Sequence, residues 1–263
     1  MKILVTAGNT QTVIDRVRCI TNVFSGRTGA QIAAEAFERG HAVTLLTSHP
    51  EVLTSVPGLR ARQAPDWRVR PYRTFEELET LMAASITDGG FDAVIHAAAV
   101  SDYRVTGVYA PEGGTHFDPG EMSWAADTGP PRLVDATAGK VKSHHPELWL
   151  RLQPAPKLVD KVRSAWGFRG ILVKFKLEVG VTEAELIAIA ERSRQQSGAD
   201  LMAANTLEGM HDWAWLGAGD GGYDRVPRRE LARVLINSIC KDGSSAPALR
   251  PAAHCQAMTT VAT

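Results

Sequence analysis

The beginning of the chain joins a short apolar strand, Ile3–Ala7, to a turn rich in glycine and hydroxyl residues, and then to an amphipathic helix predicted at Thr28–Arg39. In open α/β sheets the ligand crevice forms outside the carboxyl ends of the strands, which is where such a turn lies. Ser25, Gly26 and Gly29 let the backbone approach a ligand closely, and the following helix directs unpaired N–H groups at that ligand. Because such helix starts favour phosphate, the sequence predicts a binding site for a phosphorylated small molecule.

Apolar, β-branched runs alternate with helical patterns along the rest of the chain. This alternation predicts an α/β fold with a doubly wound, mainly parallel, Rossmann-like sheet that helices cover on both faces. Strands are expected at Ile3–Ala7, Ala42–Thr47, Arg68–Arg70, Phe91–Ala97, Leu148–Leu152, Ile171–Leu177, Leu201–Ala204 and Trp213–Leu216. Helices are expected at Thr28–Arg39, Phe75–Thr87, Pro156–Trp166, Thr182–Gln196 and Arg228–Cys240. Thr74 and Thr182 are predicted N-caps, and Glu185 completes a capping box.

Two segments interrupt the alternation. Residues 104–139 contain several Gly and Pro and show little periodicity, so we expect a long loop, flap or excursion there. Long loops of this kind are usually functional or mobile. Residues 242–263 have the composition of a disordered tail. The remainder, residues 1–241, is expected to form a single α/β domain.

The overall composition excludes several classes of protein. The charges balance, with 29 basic and 29 acidic residues, so nothing indicates a nucleic-acid or membrane-surface partner. There is no apolar run long enough to span a membrane and no pattern of a secretory signal. The cysteines, Cys19, Cys240 and Cys255, are few and widely spaced, which argues for reduced thiols and against a disulfide framework or a zinc cluster. We therefore expect a cytoplasmic protein without metal ligands among its side chains.

Eight short motifs occur in a fixed order along the chain. They are T-A-G-N-T at 6–10, I-D-R-V-R at 14–18, I-T-N-V-F-S-G-R-T-G at 20–29, A-A-V-S-D-Y at 98–103, K-V-K-S at 140–143, A-P-K-L-V at 155–159, F-K-L-E-V at 175–179 and A-D-L-M-A-A-N at 199–205. In order and spacing this set resembles the phosphopantothenate–cysteine ligase family of coenzyme A biosynthesis, in its short, stand-alone type. The resemblance covers roughly residues 1–240.

The resemblance implies a reaction, co-substrates and site residues. The carboxylate of 4′-phosphopantothenate would be activated by CTP or ATP with Mg²⁺, and cysteine would then form an amide, in a homodimer. Asn22, which would hold the acyl-nucleotide, and Lys140, which would neutralise charge, match the family's catalytic positions. Substrate and phosphate groups would be bound by Gly8, Asn9, Thr10, Asp15, Arg18, Ser25, Gly26, Thr28 and Gly29. The nucleotide would be bound by Ala98, Ala99, Val100, Asp102, Ala155, Pro156, Lys157, Leu158, Val159 and Phe175.

The sequence departs from the family pattern at several positions. Asn9 stands where a second glycine is usual, and Phe24 replaces a small polar residue beside Ser25. Ser193 and Ser197 stand where fused bacterial enzymes carry two lysines that help hold CTP, so the choice between CTP and ATP stays open. Asp15 and Arg18 have two interpretations, a direct ligand contact or a structural ion pair beneath the loop.

Other functions remain as alternatives. A related ligase acting on another carboxylate and amine would carry the same motifs. A nicotinamide-dependent oxidoreductase would share the architecture, but the G-x-G-x-x-G pattern is missing after the first strand. A non-catalytic regulator that binds nucleotide through the same turn is the third alternative, and retention of both Asn22 and Lys140 argues against it.

Overall fold

The computed structural model describes residues 1–56, 64–219 and 222–244. The strands are β1 (Lys2–Ala7), β2 (Gln11–Val13), β3 (Cys19–Thr21), β4 (Ala42–Thr47), β5 (Trp67–Pro71), β6 (Ala93–His96), β7 (Tyr103–Glu112), β8 (Thr115–Asp118), β9 (Ser123–Ala126), β10 (Arg132–Asp135), β11 (Trp149–Pro154), β12 (Ile171–Glu178), β13 (Leu201–Thr206), β14 (Trp213–Gly217) and β15 (Tyr223–Pro227). The helices are α1 (Arg27–Glu38), α2 (Phe75–Gly89), α3 (Leu158–Ser164), α4 (Glu183–Ser197) and α5 (Leu231–Ser244), with short 3₁₀ turns at Pro50–Ser55 and Arg228–Glu230.

The central sheet has eight strands in the order β15-β14-β13-β12-β6-β1-β4-β5. The six strands from β13 to β5 are parallel, and β14 and β15 add an antiparallel edge. From β1 the chain first builds outward through β4 and β5, and then returns to place β6 on the other side of β1. The order therefore reverses between β1 and β6, which is the point where ligands bind in open α/β sheets. The predicted fold class is confirmed.

Helices cover both faces of this sheet, and each face has its own apolar core. On one face α1 and α5 pack against the strands through a cluster that includes Ile3, Val5, Ile32 and Ile236. On the other face α2 and α3 enclose a second cluster. The N-cap predicted at Thr74 and the capping box predicted at Thr182 are confirmed, and Thr74 also forms a capping box, because each threonine hydroxyl accepts from the N–H three residues on and that residue's Glu side chain accepts in return.

Residues 104–139 leave the central sheet, as expected of an excursion, but the prediction of a long loop there is wrong. Strand β7 pairs antiparallel with β10 and β11 in a separate three-stranded sheet, and β8 pairs with β9. The rings of Phe117, Trp124 and Trp149 meet with centroids 4.6 to 5.5 Å apart and brace these strands. The predicted strand at Leu148–Leu152 forms as β11 but lies in this second sheet, because its partner is β7.

Several boundaries differ from the sequence-based expectation. The turn after β1 contains the antiparallel hairpin β2–β3, and β15 was not predicted. Helix α3 is shorter than expected, and the 3₁₀ turn precedes α5. Helix α5 continues to Ser244, into the predicted tail, whereas residues 245–263 lie outside the described residues. That residues 1–241 form one domain stays a prediction. In the ranges described, no helix is both long and apolar enough to cross a membrane.

Candidate functional site

The turn between β1 and α1 is packed backbone against backbone. Gly26 has φ +78°, and a Cβ there would lie 2.2 Å from the nitrogen of Gly8. Gly8 itself has φ +90°, and its Cβ would meet the Ser48 hydroxyl at 2.1 Å. At Gly29 a Cβ would lie 2.7 Å from that of Ala7. Gly26 and Gly29 are therefore required for the close approach of the helix start to the end of β1, and Gly8 is required for the close approach of Ser48.

The N-terminus of α1 opens at this turn without a side-chain cap. Gly26 occupies the N-cap position, and the first intrahelical bond in the turn is donated by Ala30 to the Gly26 carbonyl at 3.0 Å. The N–H groups before Ala30 thus have no acceptor in the helix, and Ser25 is exposed beside them. The helix dipole and these donors make this end a favourable place for an anion.

A cation that the sequence analysis missed also lies at this helix start. Arg228, between β15 and α5, donates from Nη2 to the hydroxyl of Thr28. In the part of the chain that the structure describes, no carboxylate forms an ion pair with Arg228, and burial lowers the pKa of its half-buried guanidinium. The sequence offered no local signal for this contact, because Arg228 lies 200 residues from Thr28 and belongs to an ordinary helix-start pattern.

Asn9 and Asn22 join the first turn to the loop after β6. The side chain of Asn9 donates to the backbone carbonyl of Asn22 at 2.6 Å, and the Asn22 amide donates to the carbonyl of Ala99 at 3.1 Å. Asn9 is buried and held by Ser48, whereas Asn22 is half-buried. Asn22 thus has one amide hydrogen and its Oδ1 left for a ligand. Thr10 is fully buried and is bonded to Ser101, so it lies beneath the site.

A buried polar pair supports the same loop from below. The Thr6 hydroxyl accepts from the N–H of Ala98 at 3.2 Å and lies 2.9 Å from Nδ1 of His96. Burial, with a smaller contribution from the positive charge of Lys174, lowers the pKa of His96 to about 4. His96 is therefore neutral at physiological pH, and the pair fixes where the loop leaves β6.

The predicted nucleotide-binding segments meet only in part. Residues 98–102 and 155–159 are joined by a bond from the Ala155 N–H to the Asp102 carbonyl at 2.8 Å, and the Asp102 side chain is exposed. Pro156 and Lys157 are exposed, but Leu158 and Val159 are buried in the core beneath α3. Phe175 packs into the core on the α1 and α5 face, opposite to the core that contains Leu158 and Val159.

Asp15 and Arg18 form an ion pair within the β2–β3 hairpin, and this hairpin carries the segment that contains Lys140. Arg18 Nη2 lies 2.7 Å from Asp15 Oδ2. The Val141 N–H donates to Asp15, and Arg18 donates to the Val141 carbonyl. Lys140 is exposed. Of the two interpretations left open by the sequence, the structure shows the structural ion pair. Binding of substrate or nucleotide by the predicted residues stays a prediction.

Metal-binding groups are scarce in this protein. In residues 1–56, 64–219 and 222–244, no group of three or more His, Cys, Asp or Glu side chains is placed to hold a metal ion. The adjacent rings of His144 and His145 lie 4.2 Å apart in an irregular segment. Any divalent cation here would need most of its ligands from a bound phosphate group and from water.

A glycine-packed helix start and an uncapped set of N–H groups at the switch point of a parallel sheet define the class of this protein: a doubly wound, Rossmann-like α/β fold. Residues 1–111 match the family model of the DNA/pantothenate metabolism flavoprotein C-terminal domain. The chain is 35% identical over 246 residues to the coenzyme A biosynthesis bifunctional protein CoaBC of Thermococcus kodakarensis, covering 91% of this chain and 51% of that protein.

Solved structures agree with these relatives. The DNA/pantothenate metabolism flavoprotein from Streptococcus pneumoniae aligns with a TM-score of 0.69 at 27% identity, covering 92% of this chain and 99% of that one. A Cab2 mutant in complex with phosphopantothenate-cysteine shares the fold, with a TM-score of 0.63 at 17% identity, covering 93% and 86% of the two chains. These likenesses agree with the family that the motifs resemble, and the chain spans about half the length of the CoaBC protein of Thermococcus kodakarensis.

Proposed function

We propose that this protein is a phosphopantothenate–cysteine ligase of coenzyme A biosynthesis. The observation that carries the proposal is the convergence of three elements at one end of the sheet: the start of α1, the half-buried Asn22 and the loop after β6. The relatives support it, because CoaBC is named for coenzyme A biosynthesis and a protein of the same fold has been solved with phosphopantothenate-cysteine.

In this proposal the phosphate of 4′-phosphopantothenate binds at the start of α1. The free N–H groups after Gly26, the Ser25 hydroxyl and the guanidinium of Arg228 supply donors and positive charge for a dianion. The carboxylate at the other end of the substrate then extends toward Asn22. The nucleotide lies along residues 98–102 and 155–157, where backbone groups and Asp102 are accessible.

Activation brings two anions together, so it requires positive charge. A carboxylate oxygen attacks the α-phosphorus of CTP or ATP, the bond to the β-phosphate bridging oxygen breaks, and pyrophosphate leaves. Lys140 supplies a cationic group for the charge that develops on the triphosphate. Mg²⁺ bound to the triphosphate would neutralise further charge, held chiefly by phosphate oxygens and water, with Asp102 as the exposed carboxylate at this edge.

Amide formation then consumes the acyl-nucleotide. The amine of cysteine attacks the acyl carbon, the C–O bond to the nucleotide breaks, and the nucleoside monophosphate leaves as the amine loses its proton. Asn22 suits this step because its remaining amide hydrogen donates to an acyl oxygen without titrating. The proposal further includes a homodimer in the cytoplasm, where the unpaired Cys19 and Cys240 stay reduced.

The test is pyrophosphate release by the purified protein with Mg²⁺ and 4′-phosphopantothenate, with CTP or ATP in separate reactions, each with and without cysteine. We expect release that depends on phosphopantothenate, and the amide product when cysteine is added. The nucleotide that supports release identifies the co-substrate. Absence of release with both nucleotides would contradict the proposal and favour a related ligase acting on another carboxylate.

Lys140 has a matched control in Lys142, which is also exposed and lies two residues on. We expect Lys140→Ala to lower kcat about 100-fold, the size of effect seen when one charge-stabilising donor is removed from a transition state. Lys142→Ala should leave kcat unchanged. Equal losses in the two variants, or a fall in melting temperature that accounts for the loss in Lys140→Ala, would contradict the role of Lys140.

A further inference from the structure

The carboxylate of Asp15 is fully engaged by the protein itself. Its Oδ1 accepts from the N–H groups of Val17 and Arg18, both at 2.8 Å. Its Oδ2 accepts from Nε and Nη2 of Arg18 at 3.0 and 2.7 Å, and from the N–H of Val141 at 3.1 Å. The side chain has 0% of its surface exposed. A group with no exposed surface and five donors around it has no room for a substrate.

The segment around Lys140 depends on these contacts for its position. Residues 136–148, between β10 and β11, contain no helix or strand. Gly139 accepts from the N–H of Arg16 at 3.0 Å, and the Val141 carbonyl accepts from Arg18 Nη2 at 2.6 Å. The Val141 side chain is buried. The residues on either side of Lys140 are thus bonded to the β2–β3 hairpin. The Asp15 carboxylate accepts both from the hairpin and from Val141.

The Asp15–Arg18 ion pair also determines the charge around Lys140. Burial acts to raise the pKa of Asp15, but the N–H of Val17, the Arg18 guanidinium and the N–H of Val141 together hold it well below its ordinary value. Asp15 therefore stays ionised, and its negative charge neutralises the positive charge of Arg18. In the described ranges Lys140 forms no ion pair, so its charge at this corner is not neutralised by a neighbouring carboxylate.

We propose that Asp15 is a positioning residue that acts through Lys140. By bonding Val141 to the β2–β3 hairpin, beside the Arg16–Gly139 backbone bond, it fixes the Lys140 backbone, so that the charge of Lys140, which no carboxylate among the described residues neutralises, is held in one place. This inference rests on the proposed function for the role of Lys140. The clamp, by which we mean the bonds from the Asp15 carboxylate to Val17, Arg18 and Val141, rests only on the contacts above. It assigns Asp15 no direct contact with the substrate.

Asp15→Asn tests the clamp with almost no change in volume. Both oxygens of Asp15 accept and neither donates, so an amide nitrogen in either place faces an N–H donor and loses its bond. Asp135→Asn is the matched control: Asp135 is an exposed residue at the end of β10, six residues before Val141, and it accepts from the Thr137 N–H at 2.7 Å. We expect Asp15→Asn to increase hydrogen exchange at the Val141 amide, and Asp135→Asn to leave that exchange unchanged.

A double-mutant cycle connects the clamp to turnover. We expect Asp15→Asn to lower kcat at least tenfold with KM for phosphopantothenate and nucleotide little changed, and to add nothing in a Lys140→Ala background. Losses that multiply in the double variant would overturn the proposal, since Asp15 would then act independently of Lys140. An unchanged kcat in Asp15→Asn despite faster exchange at Val141 would also overturn it.

Two further measurements distinguish failure of the clamp from misfolding of the variant and from failure of the proposed function. If thermal scans show that Asp15→Asn does not fold, Arg18→Lys replaces it, because lysine keeps the charge but cannot bond Asp15 and the Val141 carbonyl together. If the wild-type protein lacks ligase activity, the proposed function fails while exchange at Val141 still tests the clamp. Unchanged protection of Val141 in Asp15→Asn would then overturn the clamp itself.

Discussion

Two neighbouring parts of the site are held in place by different forces. The β1–α1 turn is fixed by backbone contact, since Gly8, Gly26 and Gly29 leave no room for a Cβ. The corner that carries Lys140 is fixed by one buried carboxylate, which bonds to the hairpin and to Val141 at once. The first part fails when volume is added, and the second fails when a charge is removed.

This difference suits the proposed roles of the two parts. Backbone N–H groups at a helix start bind phosphate only if they are already in place, and steric contact holds them without any group that can titrate. Lys140 must meet a triphosphate that arrives and leaves, and a hydrogen-bonded clamp can hold an otherwise irregular segment without burying the lysine. The predictions below test whether added volume disrupts the β1–α1 turn and whether the loss of a charge disrupts the segment around Lys140.

The largest effect is expected from Gly26→Ala. A Cβ at Gly26 would lie 2.2 Å from the Gly8 nitrogen, a backbone atom that cannot move without displacing the end of β1. We expect the free energy of unfolding to fall by more than about 3 kcal/mol, measured by chemical denaturation.

Gly40→Ala separates crowding from backbone strain. Gly40 has φ +81°, close to the +78° of Gly26, but a Cβ there would meet nothing within 4 Å. We expect a loss of only about 1 kcal/mol, the cost of a left-handed alanine. Similar losses in the two variants would show that the conformation, and not the contact with Gly8, makes Gly26 necessary.

Most strands and helices of the central sheet, although not β15, could be predicted from the sequence because their signals are local. Thr74 and Thr182 cap their helices within four residues, and the β1–α1 turn is contiguous in the chain. The second sheet could not be predicted, because β7 pairs with β11, which lies far along the chain and is chosen by packing.

The candidate site shows the same limit. Asn22 and the glycines lie in one contiguous motif, so they could be identified. Arg228 could not, since only the folded sheet brings α5 and its preceding turn against α1. For Asp15 and Arg18 the sequence left two interpretations open, because the decisive partner, Val141, is 126 residues away from Asp15.

A change of pH distinguishes the loop after β6, which the Thr6–His96 pair supports, from the Asp15 clamp. His96 must be neutral when folded, with a pKa of about 4 against about 6.5 in the unfolded chain. Between these values the unfolded state binds the extra proton, so the free energy of unfolding falls as pH decreases from 7 to 5, by about 2 kcal/mol from this group.

His96→Asn removes this titration while keeping a polar group for the Thr6 hydroxyl. We expect its denaturation profile between pH 7 and 5 to be flatter than that of the wild type by the same amount. The Asp15 clamp responds in the same direction but at lower pH: its lowered pKa means that its contribution is complete above the ordinary carboxyl pKa and is lost only in stronger acid. Faster exchange at Val141 between pH 7 and 5, beyond the intrinsic pH dependence, would contradict this separation.

The smallest effect within the site is expected from Arg228→Ala, and it concerns binding more than folding. Arg228 adds a side-chain cation to the backbone donors of the β1–α1 turn, without a carboxylate partner among the described residues. We expect the Kd for 4′-phosphopantothenate, measured by calorimetry, to rise about tenfold, equal to about 1.4 kcal/mol, with a weaker effect on the dephosphorylated compound. Arg229→Ala is the control, since the Arg229 side chain is 87% exposed and should leave the Kd unchanged. Equal effects on pantothenate and its phosphate would mean that Arg228 supports the turn structurally, and that backbone groups alone hold the phosphate.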